Sequence, residues 1–131
     1  MSLPLFVYGT LKRSARGNPH ELLGDAKFLN TASISGELYD LGSYPGVYRN
    51  GGSGQRVFGE LFALADSTVD RSLKVLDRYE GSDFVRKRVY VTLPDGRRRM
   101  AWAYTLRERP DETARRVTTG RYRQGSPSLK S

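Results

Sequence analysis

The sequence has no cysteine and only one histidine, His20, among its 131 residues. Without cysteine there is no disulfide, no thiolate nucleophile, no cysteine-bound zinc and no iron–sulfur cluster. One histidine cannot build a histidine-rich metal site, and we interpret His20 as a residue at the surface or at a helix start. The sequence also lacks the G-x-S-x-G elbow of serine hydrolases and the glycine-rich loop that binds phosphates. We therefore expect neither a metal nor another cofactor.

Long apolar runs are also missing. No run approaches the ~20 residues that a membrane span requires, and the start of the chain does not have the composition of a signal peptide. The sequence shows neither internal repeats nor a linker between two compositions. Because 131 residues suffice to bury one core, we expect a single domain over residues 1–131, located in the cytoplasm.

Acidic residues are too few to balance the basic ones. The chain has 22 Lys and Arg against 14 Asp and Glu, a net charge of +8. Much of the excess lies in residues 86–88, residues 97–99 and the C-terminal tail. A nucleic-acid surface needs basic residues interleaved with aromatic ones on one sheet face, and "RKRVYV" has only a faint form of that pattern. We interpret the clusters as solvated strand faces and expect neither a nucleic acid nor a membrane as partner. No heptad repeat or long apolar helix face is present, so we also expect a monomer.

What the sequence does contain is a series of short strand patterns. Residues 3–8 form an apolar run typical of a buried strand, and "GNPHELLG" in residues 17–24 has the Pro and Gly of a short helix. The segment "VYRNGGSGQRVFGELFAL" predicts a hairpin around a glycine-rich loop. The turn Pro94-Asp95-Gly96 predicts another hairpin between "FVRKRVYVTL" and "RRMAWAYTL".

One helix is clear, in the segment "DSTVDRSLKVLDRYEG". Ser67 and Asp70 have the spacing of a capping box, and Gly81 suits the left-handed position after a helix. One face of this helix carries the apolar residues Val69, Leu73 and Leu76. Many short strands with one good helix predict an α+β domain on a mixed or antiparallel sheet, curled into a barrel. The tail from about residue 108 has few core residues, and we expect it to pack loosely.

Two polar features interrupt this pattern. Glu80 lies in the predicted last turn of the helix, where unpaired carbonyl groups disfavour negative charge. A partly desolvated carboxylate there has its pKa raised towards that of a general base. The alternative is an exposed glutamate neutralised by Arg78 or Arg86. The second feature is Gly9-Thr10 at the end of the first strand, where a ligand can approach the backbone amides, unless the segment is simply a turn.

A set of short motifs runs through most of the chain, roughly over residues 3–106. In order they are "FVYGTLKR", "GELYDLGSYPGV", "VFGELFAL", "LDRYEG" followed by "FVRKRVYV", and "AWAYTL". Together they resemble the γ-glutamylcyclotransferase-like family, which includes γ-glutamylamine cyclotransferases and the avirulence-induced AIG2-like plant proteins. The resemblance implies a small β-barrel flanked by helices and Glu80 as the general acid/base. It also implies a substrate-binding loop formed by Tyr8, Gly9, Thr10 and Leu11.

The resemblance also implies a reaction. In this family the α-amine of the substrate attacks its own γ-carbonyl, which releases an amine or amino acid and leaves 5-oxoproline. The nucleophile belongs to the substrate, so the chain needs no Ser, Cys or metal for this chemistry. A non-catalytic domain that binds a small metabolite in the same cavity is the alternative.

Two stretches depart from the family pattern and bear on substrate choice. Family members commonly carry a tyrosine between the catalytic glutamate and the next arginine, where this chain has Phe84 and Val85. The tail has Gly120-Arg121-Tyr122 in place of a G-D-W-like segment. Tyr44 and Tyr104 are candidate aromatic residues of the pocket, with packing in the core as the alternative.

Overall fold

The computed structural model describes residues 3–9, 26–42, 44–49, 55–65 and 69–122. Its elements are β1 (Leu5–Val7), β2 (Lys27–Ser35), β3 (Glu37–Asp40), β4 (Pro45–Tyr48), β5 (Arg56–Ala63), α1 (Val69–Glu80), β6 (Phe84–Thr92), β7 (Arg98–Leu106) and β8 (Arg115–Arg116). Five strands close a barrel in the order β1-β5-β2-β6-β7, and β4-β3-β8 form a separate sheet. Because β1 runs parallel to β7 and antiparallel to β5, the barrel is mixed. The predicted α+β barrel is confirmed.

The barrel is filled by inward-facing apolar side chains. Val89 and Val91 of β6 are buried, whereas Arg88 and Tyr90 between them are exposed, as the two-residue period of a strand requires. The same interior cluster holds Phe6, Ile34, Leu38, Val57 and Leu61. Burial of each such side chain contributes about 1.5–3 kcal/mol.

Where β2 meets β6, the barrel is closed by a side chain as well as by backbone pairing. Strands β2 and β6 are paired only at Ser33 and Thr92. Nη2 of Arg56 donates to the Ser33 carbonyl oxygen and to Oγ1 of Thr92, each at 2.9 Å. The guanidinium therefore joins two strands where the ladder between them is short.

Helix α1 packs on the outside of the barrel. Its Leu73 and Leu76 are buried in a second cluster that contains Phe62, Phe84 and Leu106. The helix ends as predicted at Gly81, whose φ of +85° is the left-handed conformation that glycine favours. Ser67, the predicted cap, and the predicted helix in residues 17–24 lie outside the described residues. Across the ranges given above, no helix has the length and apolar composition to cross a membrane.

One predicted hairpin is confirmed and the other is wrong. Strands β6 and β7 pair antiparallel from Phe84 with Leu106 to Thr92 with Arg98. Strand β4, however, pairs with β3, whereas β5 pairs with β1 and β2 in the barrel. The turn before β4 is the shorter one, and it is fixed by Asp40, whose Oδ1 accepts the Gly42 amide at 2.9 Å. A tight local turn thus takes β4 away from the strand that follows it.

The segment after β7 is attached more firmly than its composition predicts. Strand β8 pairs with β3, and the Val117 amide donates to the Leu38 carbonyl at 2.8 Å. Tyr122 is only 5% exposed and belongs to the barrel core. Backbone hydrogen bonds, which leave no mark on composition, hold the segment as far as Gly120, whose carbonyl accepts the Phe58 amide at 2.8 Å. Most side chains of residues 107–121 are nevertheless exposed, and the loose packing expected from about residue 108 stays a prediction.

Candidate functional site

Glu80 is the last residue of α1, where the buried face of that helix meets the barrel. Its side chain is partly buried, and this loss of solvent raises the pKa of the carboxyl from 4.5 to about 7. No side chain in the described part of the chain forms a hydrogen bond or ion pair with it. Among the described residues, the carboxyl of Glu80 is therefore partly withdrawn from water without a neighbouring cation to compensate.

Arg86, one of the two arginines expected to neutralise Glu80, is bound to Asp77 instead. Arg86 donates from Nε to Oδ1 of Asp77 at 2.8 Å and from Nη2 to Oδ2 at 3.3 Å. Its guanidinium also lies 4.4 Å from the ring centre of Trp102. The Arg86 hydrogen bond holds the pKa of Asp77 below its usual value. The interpretation of Glu80 as a glutamate neutralised by Arg86 is wrong, and within the described ranges Arg78 does not pair with it either.

Two buried tyrosines, Tyr8 and Tyr104, lie within electrostatic range of Glu80. The Tyr104 hydroxyl donates to Oδ1 of Asp77 at 2.5 Å, and the Tyr8 hydroxyl donates to the Tyr104 carbonyl at 2.7 Å. Burial raises the pKa of both hydroxyls, and the negative charge of Glu80 raises each further. Glu80 is thus close to both rings, and both tyrosines stay protonated. Tyr104 is part of this polar network as well as of the packed core.

The predicted substrate-binding loop is described only at its start. The Tyr8 hydroxyl accepts the Val47 amide at 3.2 Å in addition to its bond to Tyr104, so this hydroxyl is bound both as donor and as acceptor within the protein. Gly9 is buried, and a Cβ atom built on it would lie 2.5 Å from Cγ of Pro45. Thr10 and Leu11 lie outside the described residues. The structure therefore brings Glu80 near the beginning of the loop, and the rest of the site stays a prediction.

Asp77 is the functional candidate that we did not predict from the sequence. It lies three residues before Glu80 and four after Leu73, so it lies on the same side of α1 as both, although its own side chain is half-exposed. That spacing was visible in "LKVLDRYE", but the partner Arg86 comes from β6 and could be found only in three dimensions. Of the two residues that replace the family tyrosine, Phe84 is buried and Val85 is partly buried.

A separate groove of about 500 Å³ lies on the outer face of β2 and β5. Thr31, Ser33, Phe58 and Arg121 line it, and the Arg121 guanidinium lies 4.1 Å from the Phe58 ring centre. Glu80, Tyr8 and Tyr104 do not line it, so this groove is not the place of the perturbed acid. In the part of the chain that the structure describes, no group of three Asp, Glu or His side chains is placed to hold a metal ion.

Comparisons with known proteins agree on the fold. A mouse AIG2-like protein is 24% identical with a TM-score of 0.73, over 95% of this chain and 90% of that chain. An uncharacterised Pyrococcus horikoshii protein is 26% identical with a TM-score of 0.61, over 92% and 89%. Bacillus subtilis YkqA is 24% identical with a TM-score of 0.71, and the match covers 93% of this chain but only 40% of YkqA. No match was found among curated proteins.

The family itself is identified by a sequence model that covers most of the chain. The model for "Gamma-glutamyl cyclotransferase, AIG2-like" matches residues 5–124. That range starts at the first strand of the barrel and ends just beyond Tyr122, so it includes every element described above. The chain therefore belongs to the γ-glutamyl cyclotransferase, AIG2-like family.

Proposed function

We propose that this protein is a γ-glutamyl cyclotransferase in which Glu80 is the general acid/base. The observation that carries this proposal is a partly buried carboxylate, without an ionic partner among the described residues, whose pKa is raised to about 7. A group with this pKa can both accept and return a proton at neutral pH, which is what a general acid/base requires. Membership of the family supports the reaction class, and the substrate class is a γ-glutamyl amine or γ-glutamyl amino acid.

The reaction is a proton transfer followed by an exchange of one bond for another. Ionised Glu80 takes a proton from the α-ammonium of the substrate, and the free amine attacks the γ-carbonyl carbon. The new carbon–nitrogen bond closes the five-membered ring, and the bond from the same carbon to the leaving nitrogen breaks. The leaving nitrogen takes the proton from Glu80, and Glu80 then accepts the second proton of the ring nitrogen and passes it to the released amine, which yields 5-oxoproline, a protonated amine or amino acid, and ionised Glu80.

Orientation of the substrate supplies much of the rate in this scheme. Folding the γ-glutamyl chain so that its amine faces its own carbonyl avoids an orientational cost of about 7 kcal/mol or more. We expect the loop of Tyr8, Gly9, Thr10 and Leu11 to hold the glutamyl part, with main-chain amides that also receive the negative charge developing on the γ-carbonyl oxygen. Proton transfer through Glu80 adds a factor of about a hundred or more.

The test is release of 5-oxoproline, measured by mass spectrometry, from a panel of γ-glutamyl dipeptides and γ-glutamyl amides. The native protein is compared with Glu80→Gln, which keeps the shape of the side chain and removes its base. Glu112→Gln is the matched control, because Glu112 is exposed and lies in the segment before β8. We expect Glu80→Gln to lose at least about a hundredfold in rate and Glu112→Gln to keep the native rate.

The outcomes separate the two functions. Equal rates for the native protein and Glu80→Gln would contradict the assignment of Glu80. Saturable binding of γ-glutamyl compounds without any 5-oxoproline would instead support a non-catalytic domain that binds a small metabolite in the same cavity.

A further inference from the structure

The residues before and in β4 cross both halves of the candidate site. We call Tyr44, Pro45, Gly46 and Val47 the strap. Pro45 lies directly against Gly9, and the Val47 amide donates to the Tyr8 hydroxyl at 3.2 Å. Gly46 lies between them, against the side chain of Leu106. The strap is therefore attached to the strand end where the substrate loop begins.

Tyr44 attaches the same strap to the segment that follows Glu80. Its hydroxyl donates to Oδ2 of Asp83 at 3.2 Å, and its ring centre lies 5.7 Å from that of Phe84. The segment that receives it is itself fixed, because Arg107 donates from Nε to the Ser82 carbonyl at 3.0 Å. The Tyr44 ring therefore lies against Asp83 and Phe84, which follow Glu80 by three and four residues.

Exposure decides which part of a substrate can reach this ring. Tyr44 is 37% exposed, whereas Phe84 beneath it is buried. A residue held at the rim, with one face on a buried ring and the rest in solvent, contacts the portion of a ligand that projects outwards. For a γ-glutamyl compound held by its glutamyl end, that portion is the leaving amine.

We infer that Tyr44 is a specificity-determining residue, which forms an apolar wall for the leaving amine and favours γ-glutamyl amides of alkyl amines over those of the smallest amines. This inference rests on the proposed function, because that function places the glutamyl end at the loop after β1. The Tyr44 hydroxyl is bound to Asp83, so the part of this side chain left for a ligand is its ring. A difference of a few methylene groups against such a wall corresponds to about a tenfold preference or more.

The experiment compares γ-glutamyl-butylamide with γ-glutamyl-methylamide. The ratio of their kcat/KM values for 5-oxoproline release is measured in the native protein, Tyr44→Ala and Tyr44→Phe. We expect Tyr44→Ala to lose most of the preference for the butylamide and Tyr44→Phe, which keeps the ring, to retain it. Tyr44→Gln also removes the ring and replaces the alanine variant should that one not fold. Tyr90→Ala is the matched control, since Tyr90 is 58% exposed on β6 and its ring lies against Arg98.

Dissociation constants of both amides, measured by calorimetry in the Glu80→Gln background with and without the Tyr44 changes, separate the two proposals. An unchanged butylamide preference in Tyr44→Ala, with 5-oxoproline still released, overturns the inference and leaves the proposed function standing. If neither amide yields 5-oxoproline, the proposed function fails and the dissociation constants alone decide the role of Tyr44. A butylamide preference that depends on the ring supports it, and equal binding or no binding overturns it.

Discussion

Asp77 and Glu80 are three residues apart on one helix, yet their surroundings shift their pKa values in opposite directions. Asp77 is half-exposed and has Arg86 and the Tyr104 hydroxyl as partners, so its pKa is lowered. Glu80 is more enclosed and has no ionic partner among the described residues, so its pKa is raised. The Arg86 guanidinium is bound to Asp77 rather than to Glu80.

This arrangement predicts the acidic limb of the pH profile. A general base must be ionised, so kcat/KM should fall as the pH drops through about 7, the pKa of Glu80 in the free protein. The measurement is kcat/KM for 5-oxoproline release between about pH 3.5 and pH 8.5, in the native protein and in Asp77→Asn. Removal of the Asp77 charge leaves Arg86 unpaired, and its positive charge should then lower the pKa of Glu80.

The acidic limbs of the native protein and of Asp77→Asn are expected to have different midpoints. Asp77→Asn should move the midpoint to lower pH. A native midpoint near 4.5, the ordinary value for glutamate, would show that burial does not perturb Glu80. A variant midpoint at higher pH would contradict the role given to Arg86.

For individual residues, the sequence predicted the position of Glu80 at the end of the helix but not which side chains surround it. The end of the helix, and with it Glu80, followed from local signals, because a capping box and a glycine act within a few residues. Whether Arg86 would pair with Glu80 or Asp77 depended on the approach of β6, which only the folded structure defines.

Among the elements, α1 is the one that positions the acid. It is attached to the barrel mainly through Leu73 and Leu76, which are buried against Phe62, Phe84 and Leu106. The face opposite them is exposed, so these two side chains set the height and rotation of the helix over the barrel. The position of Glu80 follows from that packing.

Truncation of the buried contact should affect stability and activity together. Leu76→Ala is expected to lower the free energy of unfolding by about 2–5 kcal/mol, because it leaves a cavity under the helix. Val75→Ala is the control, since Val75 directly precedes Leu76 and is 44% exposed. Urea unfolding measures the first effect, and 5-oxoproline release under native conditions measures the displacement of Glu80. Equal losses in the two variants would contradict a helix anchored by its buried face.

The elements also show where prediction from sequence ends. Helix α1 and the β6–β7 hairpin were predictable because their signals are local, namely a cap, an amphipathic pattern and the Pro94-Asp95-Gly96 turn. The partner of β4 was not, because β4 and β5 are both apolar enough to pair. The tight turn at Gly42 brings β4 back to β3, and in the barrel both edges of β5 are paired, one with β1 and the other with β2.

For the molecule as a whole, the unequal distribution of charge is the dominant electrostatic feature. The net charge is +8, and the β6–β7 hairpin alone carries six cationic residues and one acidic residue, Asp95. That hairpin begins at Phe84, four residues after Glu80. Anionic molecules are therefore attracted towards this hairpin, and we expect that attraction to extend to a substrate at Glu80.

This field should be visible in the salt dependence of the reaction. A γ-glutamyl amino acid has a net charge of about −1 at neutral pH, whereas a γ-glutamyl alkylamide is neutral overall. Raising the ionic strength from about 0.01 to 0.15 M shortens the screening length to about 8 Å and should lower kcat/KM severalfold for the first substrate class. The neutral amide is the control and should show little change. The same salt response for both classes would contradict electrostatic attraction of substrate.

The parallel pairing of β1 with β7 sets the order in which the molecule can be built. Leu5 is aligned with Trp102 and Phe6 with Ala103, so the first strand has its second neighbour only when almost the whole domain has left the ribosome. Until then β1, with the loop that follows it, can form at most the pairing with β5. Contacts between such distant parts of a chain form slowly, because the intervening loop must close first. We therefore expect the barrel to close, and the site to assemble, only after synthesis of the domain is nearly complete.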